Sequence, residues 1–281
     1  ILTVSSTSCI RSKILSSYDM IMIFLSLSRF FLQSLLMLDL FISLFCEVSY
    51  YQENLFVIFK TIFMFLSHSS LWFAAWLSVF YCIKVATFTQ SIFIWLKQRI
   101  SSLMPWMLLA SSLFSFAASL PFAWDVDNIQ DNITAPLTMT NSSERRVTMK
   151  ARVYLVILHC NAGIALPLIL FVFSSVLLIK SLSIHVRQMK NSATGFRDPS
   201  LEAHIGAIKS VLSFLIFYVT YFVSLVLILS KIFLPFSIEE IVCVAVMAAC
   251  PAGHSMVLIW SNPKFREVPA RILHHTNCHV R

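Results

Sequence analysis

Leu55 to Ile83 reads LFVIFKTIFMFLSHSSLWFAAWLSVFYCI. A single lysine, Lys60, interrupts a run longer than the roughly twenty apolar residues that carry a helix across a bilayer. In hydrocarbon every backbone N–H and C=O has to be satisfied within the segment, so the run is expected to be helical. It lacks the strict apolar/polar alternation of a transmembrane barrel strand. This stretch points to an all-α membrane protein.

Outward from it lie five more apolar runs, Met20 to Phe45, Leu103 to Phe122, Val153 to Leu182, Ala207 to Leu229 and Ile241 to Trp260. The third span of the six begins near Pro105 and ends near Pro121, and Pro167 sits inside the fourth. Membrane helices tolerate such prolines when neighbouring groups take up the freed carbonyl. Of the 281 residues 58% are hydrophobic and 12% charged, against roughly a quarter charged in soluble domains, and the mean hydropathy is +0.81. The expected architecture is one multi-pass transmembrane helix bundle. Its spans are about 20–45, 55–83, 103–122, 153–182, 207–229 and 241–260, with an external loop over about 123–150 and a tail over 261–281.

The net charge of +8 does not indicate a nucleic-acid partner, because the basic residues sit in short loops between spans rather than on one face of a binding motif. One set of loops carries fourteen Lys and Arg, among them Arg11, Lys13, Lys84, Lys97, Arg99, Lys180, Lys209 and Lys264; the other set, with Lys60, Arg145 and Lys150, carries six. The first set is therefore read as cytoplasmic, and with it the C-terminal tail. Two sequons, Asn132-Ile-Thr134 and Asn141-Ser-Ser143, fall in the loop assigned to the outside, which agrees with the charge rule. Six spans with Arg11 and Lys13 inside place both ends of the chain in the cytoplasm. Since the chain starts at Ile1, the reading is that a helix preceding the first visible span is missing.

The seven cysteines show no CxxC spacing, and no nucleophile motif or metal-ligand spacing gathers the serines, histidines and carboxylates, so no metal, cofactor or enzyme activity is expected. The most informative polar residue is Arg29, about two turns into the first apolar run. A charge at the bilayer centre costs about 2.5–3.5 kcal/mol on insertion scales, so Arg29 is expected to face the bundle and find a polar partner, the alternative being that it snorkels to the cytoplasmic surface.

Four stretches carry a resemblance. Leu25-Ser-Leu-Ser-Arg29 is preceded by Lys13-Ile-Leu-Ser-Ser17 and Asp19. Trp72 to Lys84 reads WFAAWLSVFYCIK and continues to Phe93-Ile-Trp-Leu-Lys97-Gln-Arg99-Ile100. Gly195-Phe-Arg-Asp-Pro199-Ser200 is followed by His204, Ala207-Ile-Lys209, Ser213-Phe-Leu215, Tyr218 and Tyr221. The last is Pro251-Ala-Gly-His254-Ser255-Met-Val-Leu-Ile-Trp-Ser-Asn262-Pro263-Lys264. Together they resemble the type 2 bitter taste receptors, a family of seven-helix G-protein-coupled receptors. The match runs from Arg11 to Lys264, with Ser26 in place of the family's usual alanine. Neither DRY nor NPxxY occurs, and residues 123–150 hold no cysteine for an outer disulfide, as in that family.

The resemblance implies the seven-helix receptor fold with six spans visible here, at the plasma membrane. It implies small bitter agonists bound within the bundle and a gustducin-like heterotrimeric G protein as partner, with lipid around the bundle and oligomerisation left open. Phe63 and Ser67 stand where many members carry tryptophan and asparagine, and with His68 and Tyr221 they form the implied ligand-binding set. The implied coupling and activation set is Arg29, Tyr81, Lys84, Lys97, Arg99, His185, His204, Lys209, His254, Ser255 and Lys264. Glu239 and Glu240 are read as marking the membrane edge. The neighbouring readings are a vomeronasal type-1-like receptor and, in another class, a small secondary transporter. Transporters commonly show internal repeats and midplane carboxylates, whereas here only Asp39 is an acid well inside a span. Without the preceding helix beside Arg29, the chain as written is not expected to signal.

Overall fold

The computed structural model describes residues 16–45, 55–85, 91–134, 163–181, 183–184, 199–229 and 237–261. Among them all regular structure is helical: α1 (Ser17–Phe45), α2 (Leu55–Val85), α3 (Ser91–Thr134), α4 (Gly163–Ser181), α5 (Pro199–Leu229) and α6 (Ile238–Ser261). Among the described residues five of these hold a segment long and apolar enough to cross a membrane, and α5 holds a shorter apolar stretch, Val211–Ser224. The protein is thus an all-α, multi-pass membrane protein.

The inward faces of the helices mix apolar side chains with small polar ones, while the outward faces are apolar. α3 turns Ser111, Ser115 and Ser119 inward while Trp106, Leu113 and Phe116 face outward. α4 buries Ser174, Ser175 and Ser181 and exposes Ile169, Phe173 and Val176. Lipid tails are as apolar as leucine, so the outward faces gain nothing from being hidden, and small polar residues let backbones approach closely inside. Many of these hydroxyls are satisfied within their own helix. Ser111 Oγ donates to Met107 O (2.7 Å), Ser119 Oγ to Phe116 O (2.7 Å) and Ser174 Oγ to Phe171 O (3.0 Å).

α3 departs most from the sequence expectation. The apolar run of 103–122 lies inside a longer helix, which runs from Ser91 to Thr134, through both prolines and twelve residues into the segment read as external loop. Hydropathy marks only the apolar part of a helix, whereas the backbone ladder continues as long as its hydrogen bonds are made. Pro105 has no N–H for the carbonyl of Ser101 four residues earlier. Ser17 Oγ on α1 donates to that carbonyl at 3.1 Å. Residues 153–162, expected to open the fourth span, and 135–150 of the expected loop lie outside the described residues.

The chain divides into two compact units, the first comprising 1–27, 76–105 and 170–281 and the second 28–75 and 106–169. In the first unit α5 packs on α6. A buried stripe on α5, Val211, Phe214, Tyr218, Tyr221 and Ser224, recurs every three or four residues. A Cβ on Gly253 of α6 would lie 2.8 Å from the Phe217 ring, so glycine is what lets these two helices close. In the second unit α2 and α3 meet through edge-to-face rings, Phe65 with Phe116 at 6.0 Å and Trp72 with Phe114 at 5.7 Å.

Candidate functional site

The second unit holds Arg29 and three of the four expected ligand residues, Phe63, Ser67 and His68. Four consecutive polar residues of α2, Ser67, His68, Ser69 and Ser70, are all buried. Successive helical residues are about 100° apart, so four in a row face nearly every direction around the helix. α2 is therefore enclosed by protein on all sides at this level, which the apolar surroundings in sequence do not betray. Two of these residues make contacts across helices. Arg29 Nε on α1 lies 3.5 Å from Ser70 Oγ, and the guanidinium is buried as expected. His68 is 1% exposed, with its imidazole laid on the backbone of Gly163 at the start of α4; a Cβ there would stand 2.7 Å from Cε1.

Ten residues beyond Arg29 on α1, Asp39 Oδ2 accepts a 2.7 Å hydrogen bond from Lys60 Nζ, itself ten residues before Ser70 on α2. Equal spacings on both helices make α1 and α2 antiparallel neighbours, tied at two levels about 15 Å apart. Asp39 and Lys60 were each noticeable in the sequence as charges in apolar surroundings. Their pairing was not, because it depends on the path of residues 46–54 between the helices.

Tyr221, the fourth expected ligand residue, belongs to the first unit, where it is buried on the inward stripe of α5. Beside it on the same helix face a cluster of rings links three helices. Phe171 of α4 lies 4.3 Å from Phe214 of α5, and Phe214 lies 4.1 Å from His254 of α6. Tyr218 stacks parallel to Phe171 with centroids 6.4 Å apart. His254 is thus a buried packing partner, and Ser255 Oγ donates to Pro251 O at 2.9 Å. Phe171 and Phe214 carried no signal of their own in sequence, since phenylalanine is the ordinary filler of every span.

Three serines join α2 and α4 in the same unit: Ser174 Oγ donates to Ser78 Oγ (2.8 Å), and Ser78 Oγ lies 3.2 Å from Ser175 Oγ. Tyr81 meets Tyr18 of α1 with centroids 6.0 Å apart. The expected cationic residues Lys84, Lys97 and Arg99 are exposed. Lys84 Nζ lies 5.8 Å from the Phe80 ring centroid and the Arg99 guanidinium 5.7 Å from that of Trp95, an arrangement that keeps each charge at its helix surface while its stem covers an aromatic face. His204 and Lys209 fall on the first turns of α5 and Asn132 near the end of α3, where only the backbone is described; His185, Asn141 and Lys264 lie outside the described residues.

Comparison with known proteins bears on this arrangement. The family model described as "Taste receptor protein (TAS2R)" matches residues 1–277. Taste receptor type 2 member 40 of Gallus gallus is 67% identical over 281 residues, covering 100% of this chain and 90% of that protein. Taste receptor type 2 member 39 is 39% identical over 281 residues in Papio hamadryas, with 100% of this chain and 83% of that protein covered. The Homo sapiens form is 40% identical over 273 residues, covering 97% and 80%. A receptor reading thereby replaces the transporter and vomeronasal alternatives, and the chain belongs to the type 2 taste receptor family, the bitter taste receptors among G-protein-coupled receptors.

Proposed function

We propose that the protein binds small bitter compounds against the face of α2 that carries Phe63 and Ser67, with His68 fixing the adjoining wall through Gly163. The observation that carries this reading is the buried polar run Ser67–Ser70 at the level where an otherwise apolar helix is enclosed by protein. Small-molecule pockets are mostly apolar with a few placed polar groups, and intramembrane polar residues are costly enough to be retained mainly for use. Compared with a tryptophan and an asparagine, Phe63 and Ser67 leave a wider space with fewer hydrogen-bond donors, which suits bulkier or less polar agonists.

Agonist binding selects an active arrangement already present in the ensemble. Rings linking α4, α5 and α6 at Phe171, Phe214 and His254 are suited to passing on a shift of α5, with Tyr221 on the same stripe. Coupling to a gustducin-like G protein is assigned to the basic end carrying Lys84, Lys97 and Arg99, together with His185, His204, Lys209 and Lys264. That end faces the cytoplasm of a cell whose plasma membrane holds the receptor, and Asn132 and Asn141 face outward and carry glycans.

The test is a calcium response to a library of bitter compounds in cells expressing the full-length receptor with a gustducin-derived Gα. Dose-dependent responses that fall with Phe63→Ala and Ser67→Val at unchanged surface level support the proposal. Responses insensitive to both substitutions would move the pocket elsewhere, and silence toward the whole library would sink the reading.

A further inference from the structure

Two successive residues in the first turn of α1 reach two different helices. Ser17 Oγ donates to the Ser101 carbonyl of α3 at 3.1 Å, and the Tyr18 ring meets Tyr81 of α2 with centroids 6.0 Å apart. Their backbone is set by the start of α1, where the Met20 N–H donates to Ser16 O at 2.9 Å. Both contacts lie within the first unit. Both also stand beside cationic side chains assigned above to coupling. Tyr81 comes three residues before Lys84, and Ser101 two residues after Arg99 and four after Lys97.

Ser101 is where α3 is least constrained by its own hydrogen-bond ladder. An interior proline withholds the N–H that the carbonyl four residues earlier would accept, and its ring presses on that same carbonyl, so a helix bends most readily there. For Pro105 the carbonyl is that of Ser101. Ile100 and Met104, both fully buried, fix which face of α3 turns inward. Ser101 and Pro105 lie on the adjoining exposed face, where that packing supplies no substitute for the lost bond. The stretch from Ser91 to Ser101, with Lys97 and Arg99, takes its direction from how this carbonyl is held. A serine hydroxyl is one of the groups that make good such a loss in membrane helices, and here it comes from α1. We propose that Ser17 is a positioning residue for G-protein coupling: by supplying the hydrogen bond that Pro105 cannot, it fixes the direction in which the basic stretch of α3 meets the G protein. This rests on the coupling reading of Lys97 and Arg99 given above.

The experiment measures GTPγS uptake by a gustducin-type Gα on membranes from cells expressing the full-length receptor. The probe is a saturating dose of the library compound to which the parent answers most strongly, and Gα is titrated. Ser17→Ala, which favours the helix, should raise the half-saturating Gα concentration about threefold, the size of an average interhelical hydrogen bond in a membrane. The agonist dose for half response at saturating Gα should stay as in the parent. Ser17→Thr keeps the hydroxyl and should match the parent in both. Pro105→Ala gives the Ser101 carbonyl a backbone N–H, so adding Ser17→Ala to it should have no further effect. An unchanged Gα requirement in Ser17→Ala overturns the proposal, as does an undiminished threefold loss in the Pro105→Ala background. If Ser17→Ala yields no folded receptor, Ser17→Cys, similar in size and only a weak donor, takes its place with the same expected direction. A parent that leaves uptake at the receptor-free rate with every library compound overturns the coupling reading and the proposal with it.

Discussion

A methyl group on residue 163 would stand 2.7 Å from His68 Cε1 and 3.0 Å from Nε2, so the smallest possible side chain is what lets the imidazole lie on α4. Gly163→Ala is therefore expected to push the ring out of place and to cost about 1–3 kcal/mol by overpacking. The measurement is thermal unfolding of the detergent-solubilised receptor, together with agonist potency in cells. His68→Ala should relieve the clash, so that the two substitutions are less harmful together than their separate effects predict; strict additivity would show that the ring is not held there. Arg29 makes a second residue-scale case. Arg29→Ala is expected to destabilise by about 3 kcal/mol or more, since it opens a cavity and strands the groups that face the guanidinium. Unfolding at the parental temperature would refute its buried role. Of these two residues the sequence announced only one. A charge in an apolar run is conspicuous anywhere, whereas a glycine becomes informative only when the side chain opposite it is known.

Among the helices, α2 and α4 are joined by Ser78, Ser174 and Ser175 within hydrogen-bond distance. Interhelical hydrogen bonds in membranes contribute about 0.6 kcal/mol on average and up to about 1.7. Ser78→Ala, which removes the shared hydroxyl, should accordingly destabilise by about 1 kcal/mol, seen as a modest fall in unfolding temperature. Ser112→Ala is the control, because its hydroxyl bonds only within α3; an equal fall in both variants would refute an interhelical clasp. On α6, Gly253→Leu should separate α5 from α6 by driving Cβ into the Phe217 ring. We expect reduced surface expression or altered basal signalling, and a variant matching the parent in both would show that the two helices can close without glycine. Helix existence was legible throughout, because a run of about twenty apolar residues has few alternatives in lipid. The extent of α3 was not. Prolines at 105 and 121 read as boundaries in a lone segment, yet Pro105 is accommodated by a hydroxyl from α1 that no local pattern reveals.

For the whole molecule, the positive-inside rule and the two sequons make a joint prediction. Asn132→Gln and Asn141→Gln should each remove one glycan from the cell-surface receptor, visible as stepwise mobility shifts that enzymatic deglycosylation abolishes. An epitope at the C-terminus should be detected only after permeabilisation. Surface labelling of that epitope on intact cells would invert the topology, and with it the side assigned to Lys84, Lys97 and Arg99. Family membership was legible in the same stretches that set the topology, Trp72 to Lys84 and His254 to Lys264, and the match over residues 1–277 bears it out.

The sequence by itself determined the class of solvent, the helical secondary structure, the family and the exceptional status of Arg29. All of these follow from composition and local order: the bilayer rewards long apolar runs wherever they occur and penalises a charge regardless of its neighbours. Tertiary structure alone decided which face of each helix points inward. Leucine and phenylalanine gain little from choosing protein over lipid, so apolar periodicity carries no instruction. The choice is made by small and polar residues meeting across helices, as when Ser78 meets Ser174, His68 lies on Gly163 and Lys60 reaches Asp39. Such pairings join residues far apart in the chain, and they exist only once the helices have packed.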